Sequence, residues 1–250
     1  MFLDTALARR IEAGEALNAA QCGEALPVAG GYAAFAGVGS ALTHAIGLGM
    51  NGPVTAAEFN EMEEFFRSRG AWVNLDFCPY ADPSLMDLLG KRGYRVVECS
   101  NVLAGPVAGS PDARVRPAQP EEADLWCRIM LEGFFLRKDL TVDEMEMAHR
   151  LFRQDGGAGW FGTVGGVPVA AAAMNIRDNL ALLYADSTTE KARGQGLHLA
   201  LIRARLARAA TLGCDLATAS TLPGSISQRN YERAGFRVVY TKLNMQRDWP

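Results

Sequence analysis

Residues 190–209 read EKARGQGLHLALIRARLARA: a charged turn, glycines at 194 and 196, and then a helical pattern that runs on without a break. Glycine allows a tight turn and a close approach of backbone to ligand. The first turn of a helix adds unpaired N–H groups and the positive end of its dipole. A glycine turn that opens a helix is therefore a place to hold an anion, most often a phosphate.

The rest of the chain limits which anion. Its 250 residues, 49% hydrophobic and 21% charged, suffice for a substantial core in one large or two small domains. A net charge of −3 gives no footing for nucleic acid. No apolar run reaches the roughly 18 residues of a membrane span. The opening MFLDTALARRIEAGEALNAA carries Asp4, Glu12 and Glu15 where a signal peptide would be apolar, and it reads as an amphipathic helix. Five cysteines, Cys22, Cys78, Cys99, Cys127 and Cys214, are odd in number and never spaced as CxxC. They suggest neither a disulfide framework nor a metal site, and a reducing cytoplasm is expected.

Around residues 106–112 the chain is rich in Pro, Gly, Ala and Ser, which marks a linker. Beyond it, ARVRPA reads as a strand, and helices follow from about Glu121 to Phe135 and Val142 to Gln154. WFGTV and VPVAAAAMNI make a hairpin around Gly165 and Gly166, and LALLYADST (180–188) leads into the glycine turn. After the long helix come a strand CDLATAS, a short helix SISQRNYERA and a final stretch FRVVYTKLNM. The order is mixed α/β. Sliding the first half by 142 residues places Gly52 on Gly194, and GYRVV (93–97) on GFRVV (235–239), without a gap. A repeat this long points to a duplicated domain.

No GxxxxGK[ST] occurs, so the turn is not a Walker A loop. Leu199 stands where a dinucleotide fingerprint needs its third glycine, and no acid ends a following strand. KARGQGLHLALI instead resembles the [QR]-x-x-G-x-[GA] acetyl-CoA motif of the GNAT N-acetyltransferases, with Lys191 in place of the first Gln or Arg. The strand before it and SISQRNYERAGF after it match the family's order across residues 113–250.

This resemblance implies an α/β (α+β) fold: a mixed, mostly antiparallel twisted sheet flanked by helices, here duplicated. Its expected parts are a degenerate GNAT-like domain over 1–105, a linker at 106–112 and an acetyltransferase domain over 113–250. The amides of Arg193, Gly194, Gln195, Gly196 and Leu197 would face the pyrophosphate of acetyl-CoA, with Arg193 adding charge. Asp186 and Thr188 would offer strand backbone to the pantetheine, and Ser225 would lie beside the cofactor. Tyr231 is the expected general acid for the departing thiolate, with a falling rate at high pH as the phenol ionises. The histone-type glutamate has Leu180 in its place, leaving Asp186 or Glu190 as bases working through water. His198 reads as a helix-face residue near solvent.

The acceptor is expected to be a primary amine of a small molecule or peptide, without nucleic acid or membrane, bound by a monomer or homodimer. Residues 131–145 would form its specificity loop, with Phe134, Phe135 and Met145 as an apolar wall and Asp139, Asp143 and Glu144 for a cation. In the first half, Pro53, Val54 and Leu89 fall opposite Gln195, Gly196 and Tyr231, so no cofactor site is expected there. An acyltransferase with a longer acyl or aminoacyl-tRNA donor, and a CoA-binding sensor, are the alternative readings. The acidic charge counts against tRNA.

Overall fold

In the computed structural model the described residues are 5–248, so residues 1–4 of the expected N-terminal helix and the last two residues lie outside them. The chain divides into two compact units. Unit 1 runs up to Val102 and resumes at Val238; unit 2 is Leu103–Arg237. No helix among the described residues is long and apolar enough to cross a membrane.

Unit 1 is built from α1 (Thr5–Ala20), β1 (Glu24–Val28), β2 (Gly31–Phe35), β3 (His44–Ile46), α2 (Ala56–Arg67), β4 (Val73–Phe77), α3 (Pro83–Lys91) and β5 (Arg95–Gly105). Unit 2 follows with β6 (Val115–Pro117), α4 (Ala123–Phe135), α5 (Val142–Phe152), β7 (Ala158–Val164), β8 (Val167–Arg177) and β9 (Leu180–Thr188). It continues through α6 (Leu197–Thr211), β10 (Leu216–Thr221) and α7 (Ile226–Arg233) to β11 (Arg237–Arg247). Every helix and strand expected beyond residue 112 is present, displaced by no more than a few residues at the ends.

The strands of each unit pair in a mixed, mostly antiparallel order. In unit 1 the order is β1-β2-β3-β4-β11-β5, with β3 and β4 the parallel pair. In unit 2 the last residues of β5 begin the order and β10-β9-β8-β7-β6 follow, with β9 and β10 the parallel pair. Under the 142-residue repeat α2 falls on α6, β4 on β10, α3 on α7 and β5 on β11. The strands that close the two copies are exchanged: β11, which follows the last helix of unit 2, pairs antiparallel with β4 of unit 1 from Leu243↔Phe77 to Arg247↔Val73. The end of β5 lies beside β10, where the Thr218 hydroxyl donates to the Leu103 carbonyl at 2.9 Å. Residues 238–248, read from the sequence as part of the second domain, therefore group with the first unit. Residues 106–112 are likewise no free tether. A Cβ on Gly109 would stand 2.0 Å from the Arg203 carbonyl of α6, so this segment is pressed onto the helix.

The core of unit 2 has distinct apolar clusters. Leu103, Ile202, Leu206, Tyr231 and Phe236 pack between α6, α7 and the strands. Trp126, Met130, Leu131, Phe161 and Ala171 form a second cluster with α4 and α5. Each large side chain buried in this way contributes about 1.5–3 kcal/mol.

Unit 1 buries charge as well. Glu12 of α1 is fully enclosed, accepts from the Tyr240 hydroxyl at 2.6 Å and faces Lys242 Nζ at 3.0 Å. Burial lifts this carboxyl to about 7, against the pull of Lys242. A folded state that holds a proton more tightly than the unfolded chain gains stability at low pH, and loses it as pH rises through the folded value. The melting temperature is expected to fall between pH 5 and pH 8, and Glu12→Gln should flatten that slope. A wild-type melting temperature that rises over this window would contradict the assignment.

Candidate functional site

The site of interest begins with a fault in a strand. Between Ala171↔Ser187 and Ala173↔Tyr184 the pairing of β8 with β9 slips, and Ala185 adopts φ +55°. This is a β-bulge, with an alanine in a conformation that side chains disfavour. Its effect is to re-aim Asp186 away from simple alternation along β9. Helix α4 presses against the same place: the Ser187 hydroxyl donates to the Met130 carbonyl at 2.7 Å, and a Cβ on Gly133 would lie 2.0 Å from that hydroxyl oxygen.

On its other edge β9 pairs with β10 only over Leu180–Leu182 and Leu216–Thr218, although both strands run on. Past that point they part, and the outer half of β9 is left without a strand partner on this side. An extended chain of amides can add to such an edge as a strand would. β9 then enters the turn. Gly194 and Gly196 have φ of +79° and +75°, and the space around each is open. α6 starts at Leu197 with Gly196 as its N-cap, and no side chain caps it.

The matching helix in unit 1 begins quite differently. The Thr55 side chain accepts from the Glu58 amide, and the Glu58 carboxylate accepts from the Thr55 amide, a complete capping box at the start of α2. The Val54 amide donates to the Ser84 hydroxyl at 2.8 Å. Segment 47–50 is tied down as well, with Gly49 bonded to Ala29 and to the Asp82 amide. The helix donors that α6 leaves uncapped are consumed within unit 1.

Several expected cofactor residues play structural parts around the turn. The Arg193 amide donates to the Glu190 carbonyl at 3.2 Å, which removes it from the expected row of donors. Its guanidinium braces the turn by donating to the carbonyls of Gly133 at 2.9 Å and Thr188 at 3.3 Å. The Leu197 side chain is buried with Trp160, Ala192 and Leu201 and anchors the helix start, while Gln195 is exposed. The Ser225 hydroxyl caps α7, accepting from the Gln228 amide at 3.1 Å. Sequence reasoning missed Arg114, which donates to the Gln195 carbonyl at 2.9 Å while paired with Asp112. Hydrogen bonds from Arg114 pull the Asp112 carboxyl down to about 2.

Tyr231 and Asp186, forty-five positions apart in sequence, meet. The Tyr231 hydroxyl donates to Asp186 Oδ2 at 2.5 Å, and Asp186 Oδ1 is held by Arg205. Burial, with the Asp186 carboxylate next to it, lifts the phenol well above its ordinary value near 10. His198 is no solvent-facing residue. It is largely buried, its Nε2 lies 3.5 Å from Asp186 Oδ1, and its ring meets that of Tyr231 edge-on at 5.8 Å. Glu190 stays in the exposed turn, and Leu180 is enclosed in the core.

In the expected acceptor region Phe134 and Phe135 are 56% and 44% exposed, while Met145 packs partly into the core. Glu144 is committed to a capping box with Thr141 and to Arg137. Asp139 and Asp143 are exposed.

A strand bulge beside a splayed parallel pair, followed by a glycine turn and an uncapped helix, makes up the candidate site. The fold is that of the GCN5-related N-acetyltransferases. A GCN5-related N-acetyltransferase from Kribbella flavida superimposes with a TM-score of 0.74 at 20% identity, over 98% of this chain and 96% of its own. A second, from Sphaerobacter thermophilus, matches at 0.56 and 16% identity, over 77% and 67%. A tandem GNAT protein from the clavulanic acid biosynthesis pathway matches at 0.53 and 13% identity, over 76% and 68%, and agrees with the duplicated GNAT fold read here. No family sequence model matches the chain, and no curated protein matches it by sequence.

Proposed function

We propose that the chain is an acetyl-CoA-dependent N-acetyltransferase acting on a primary amine of a small molecule or peptide. The observation that carries this reading is the contrast between the two helix starts, α2 closed by its own capping box and α6 left open behind two positive-φ glycines. The second half would hold the donor. The amides of Gly194, Gln195, Gly196 and Leu197 would take the pyrophosphate, with Arg193 lending positive charge from the flank. The free edge of β9 at Asp186 and Thr188 would bond the pantetheine amides. Unit 1 would be a GNAT-like domain without a cofactor site.

In the reaction the amine nitrogen forms a bond to the thioester carbonyl carbon, and the carbon–sulfur bond breaks. The sulfur leaves with the electron pair and takes the Tyr231 proton. The ammonium proton passes to water, and solvent reprotonates the phenol. To act as the acid, Tyr231 turns its hydrogen from Asp186 to the sulfur by rotation about the Cζ–Oη bond. The side chain of Asp186 is already engaged, which removes it as the base and favours a water path for the amine proton.

The test is free-thiol release from acetyl-CoA across a panel of primary amines, with longer acyl-CoA thioesters in parallel. Acetyl-CoA is expected to turn over with one class of amine and to outpace longer donors. Binding of acetyl-CoA without thiol release for any amine would make the chain a CoA sensor instead.

A further inference from the structure

We infer that Asp186 and Arg205 are positioning residues that hold the Tyr231 phenol in place as the proton donor of unit 2. The inference rests on the acyl-transfer reading for its catalytic half, and on geometry alone for its structural half.

Arg205 lies in the middle of α6 with no exposed surface, a place where helix packing asks for an apolar side chain. Leu201 and Ile202, one turn before it, and Ala209, one turn after it, are all core residues. A buried guanidinium is retained only where its hydrogen bonds are met, and replacing such a pair by apolar residues is often neutral for stability. Here the bonds are met. Nε donates to the Leu201 carbonyl at 3.1 Å, Nη1 to the Ala173 carbonyl at 2.6 Å, and Nη2 to Asp186 Oδ1. These bonds fix the guanidinium to both α6 and β8. Arg205 in turn fixes one carboxylate oxygen of Asp186, and the other receives the Tyr231 hydroxyl at 2.5 Å.

The bulge at Ala185 turns Asp186 to this meeting point, so strand irregularity, buried arginine and phenol belong to one construction. His198 completes its rim. Arg233 donates to Asn230 Oδ1 at 2.9 Å, which orients the Asn230 amide nitrogen onto His198 Nδ1 at 3.1 Å. Nδ1 thus accepts, the ring hydrogen sits on Nε2 facing Asp186, and burial lowers the imidazole pKa against the pull of Asp186. The charged and titratable groups facing the phenol are therefore Asp186 from β9 and Arg205 and His198 from α6. In unit 1 the 142-residue repeat puts Ala56, Glu63 and Leu89 opposite His198, Arg205 and Tyr231. The network is absent from the copy whose helix start is closed.

The test follows the phenol directly. The tyrosinate absorbance of the wild-type protein minus that of Tyr231→Phe, recorded against pH, isolates Tyr231 without any substrate. No tyrosinate from Tyr231 is expected below about pH 10, its ordinary value. Asp186→Asn removes the neighbouring negative charge and leaves the positive Arg205, so ionisation should move down by roughly one to three pH units. An unchanged titration in a folded Asp186→Asn protein would overturn the inference. Should that variant not fold, Asp186→Asn combined with Arg205→Met removes both charges together. This double variant is expected to lose kcat about as much as Tyr231→Phe does, with unchanged acetyl-CoA affinity, and adding Tyr231→Phe should change nothing further. A double variant with wild-type kcat, beside an impaired Tyr231→Phe, would also overturn it. If Tyr231→Phe is itself unimpaired, the acid role has failed, and the titration alone judges the positioning.

Discussion

Gly194→Val is expected to weaken acetyl-CoA binding by about a hundredfold or more, since charge-assisted hydrogen bonds are worth about 1.5–3 kcal/mol each and tenfold in affinity is 1.4 kcal/mol. Two effects act together. At φ +79° a β-branched residue is strained, so the turn that presents the amides must reshape. The space above Gly194 is open in the protein, so the new side chain meets no protein atom and stands where the pyrophosphate would approach. The readout is the rise in melting temperature with added acetyl-CoA, which scales with ligand over dissociation constant. Wild type should show the rise and Gly194→Val should not, and ATP or NAD should give far less. The matched change in unit 1, Gly52→Ala, sits at φ +138° with nothing nearby and should lower stability while leaving the acetyl-CoA shift intact. A folded Gly52→Ala protein that no longer responds to acetyl-CoA would place the binding in the wrong half.

Tyr231→Phe should reduce kcat by about 10²–10⁴, the range for losing a general acid, with little change in acetyl-CoA affinity. Phenylalanine keeps the edge-on contacts with Phe236 at 5.1 Å and His198 at 5.8 Å, so packing survives. Asp186 keeps Arg205, and no unpaired charge is created. The structure alters the expected pH profile. Sequence reasoning expects a falling limb as the phenol ionises, but burial and Asp186 hold the phenol neutral well past its ordinary range. The wild-type rate should therefore show no falling limb from Tyr231 up to about pH 10. A descending limb near pH 9 that Tyr231→Phe abolishes would mean that the phenol is more solvated in the working enzyme. A variant with wild-type kcat would move the acid role to water.

Much of the fold was legible in the chain, because its signals are local. Gly165 and Gly166 fix a hairpin, and the 142-residue repeat carries the order of turn, helix, strand, helix and strand. The glycine turn was legible for the same reason, since φ above zero at two close positions asks for glycine. Partner choice was not. GFRVV and GYRVV are nearly the same words, and nothing in them says that β11 pairs with β4. The Tyr231–Asp186–Arg205 network was half hidden. Nothing in LIRARLARA marks Arg205 as a buried residue, and only the bulge at Ala185 brings a carboxylate to where its guanidinium can be met. His198 reads as a residue near solvent for the same reason, and the structure sets it beside Asp186 and Tyr231. Arg193 reads from the sequence as a charge for the ligand, and its reach to Gly133, which depends on how α4 packs on β9, is not legible there.

The exchanged strands set an order on the molecule's birth. As the chain leaves the ribosome, residues up to Val102 emerge first, yet the place beside β4 stays vacant until residues 238–247 arrive, more than 130 positions later. During that interval β4 offers an unpaired edge to any passing strand, the usual start of misassembly. Unit 2 meets no such delay, because β5 is already made when β10 appears. The half with the open helix start can thus mature as it is synthesised, and the half with the closed one must wait until residues 238–247 have been made.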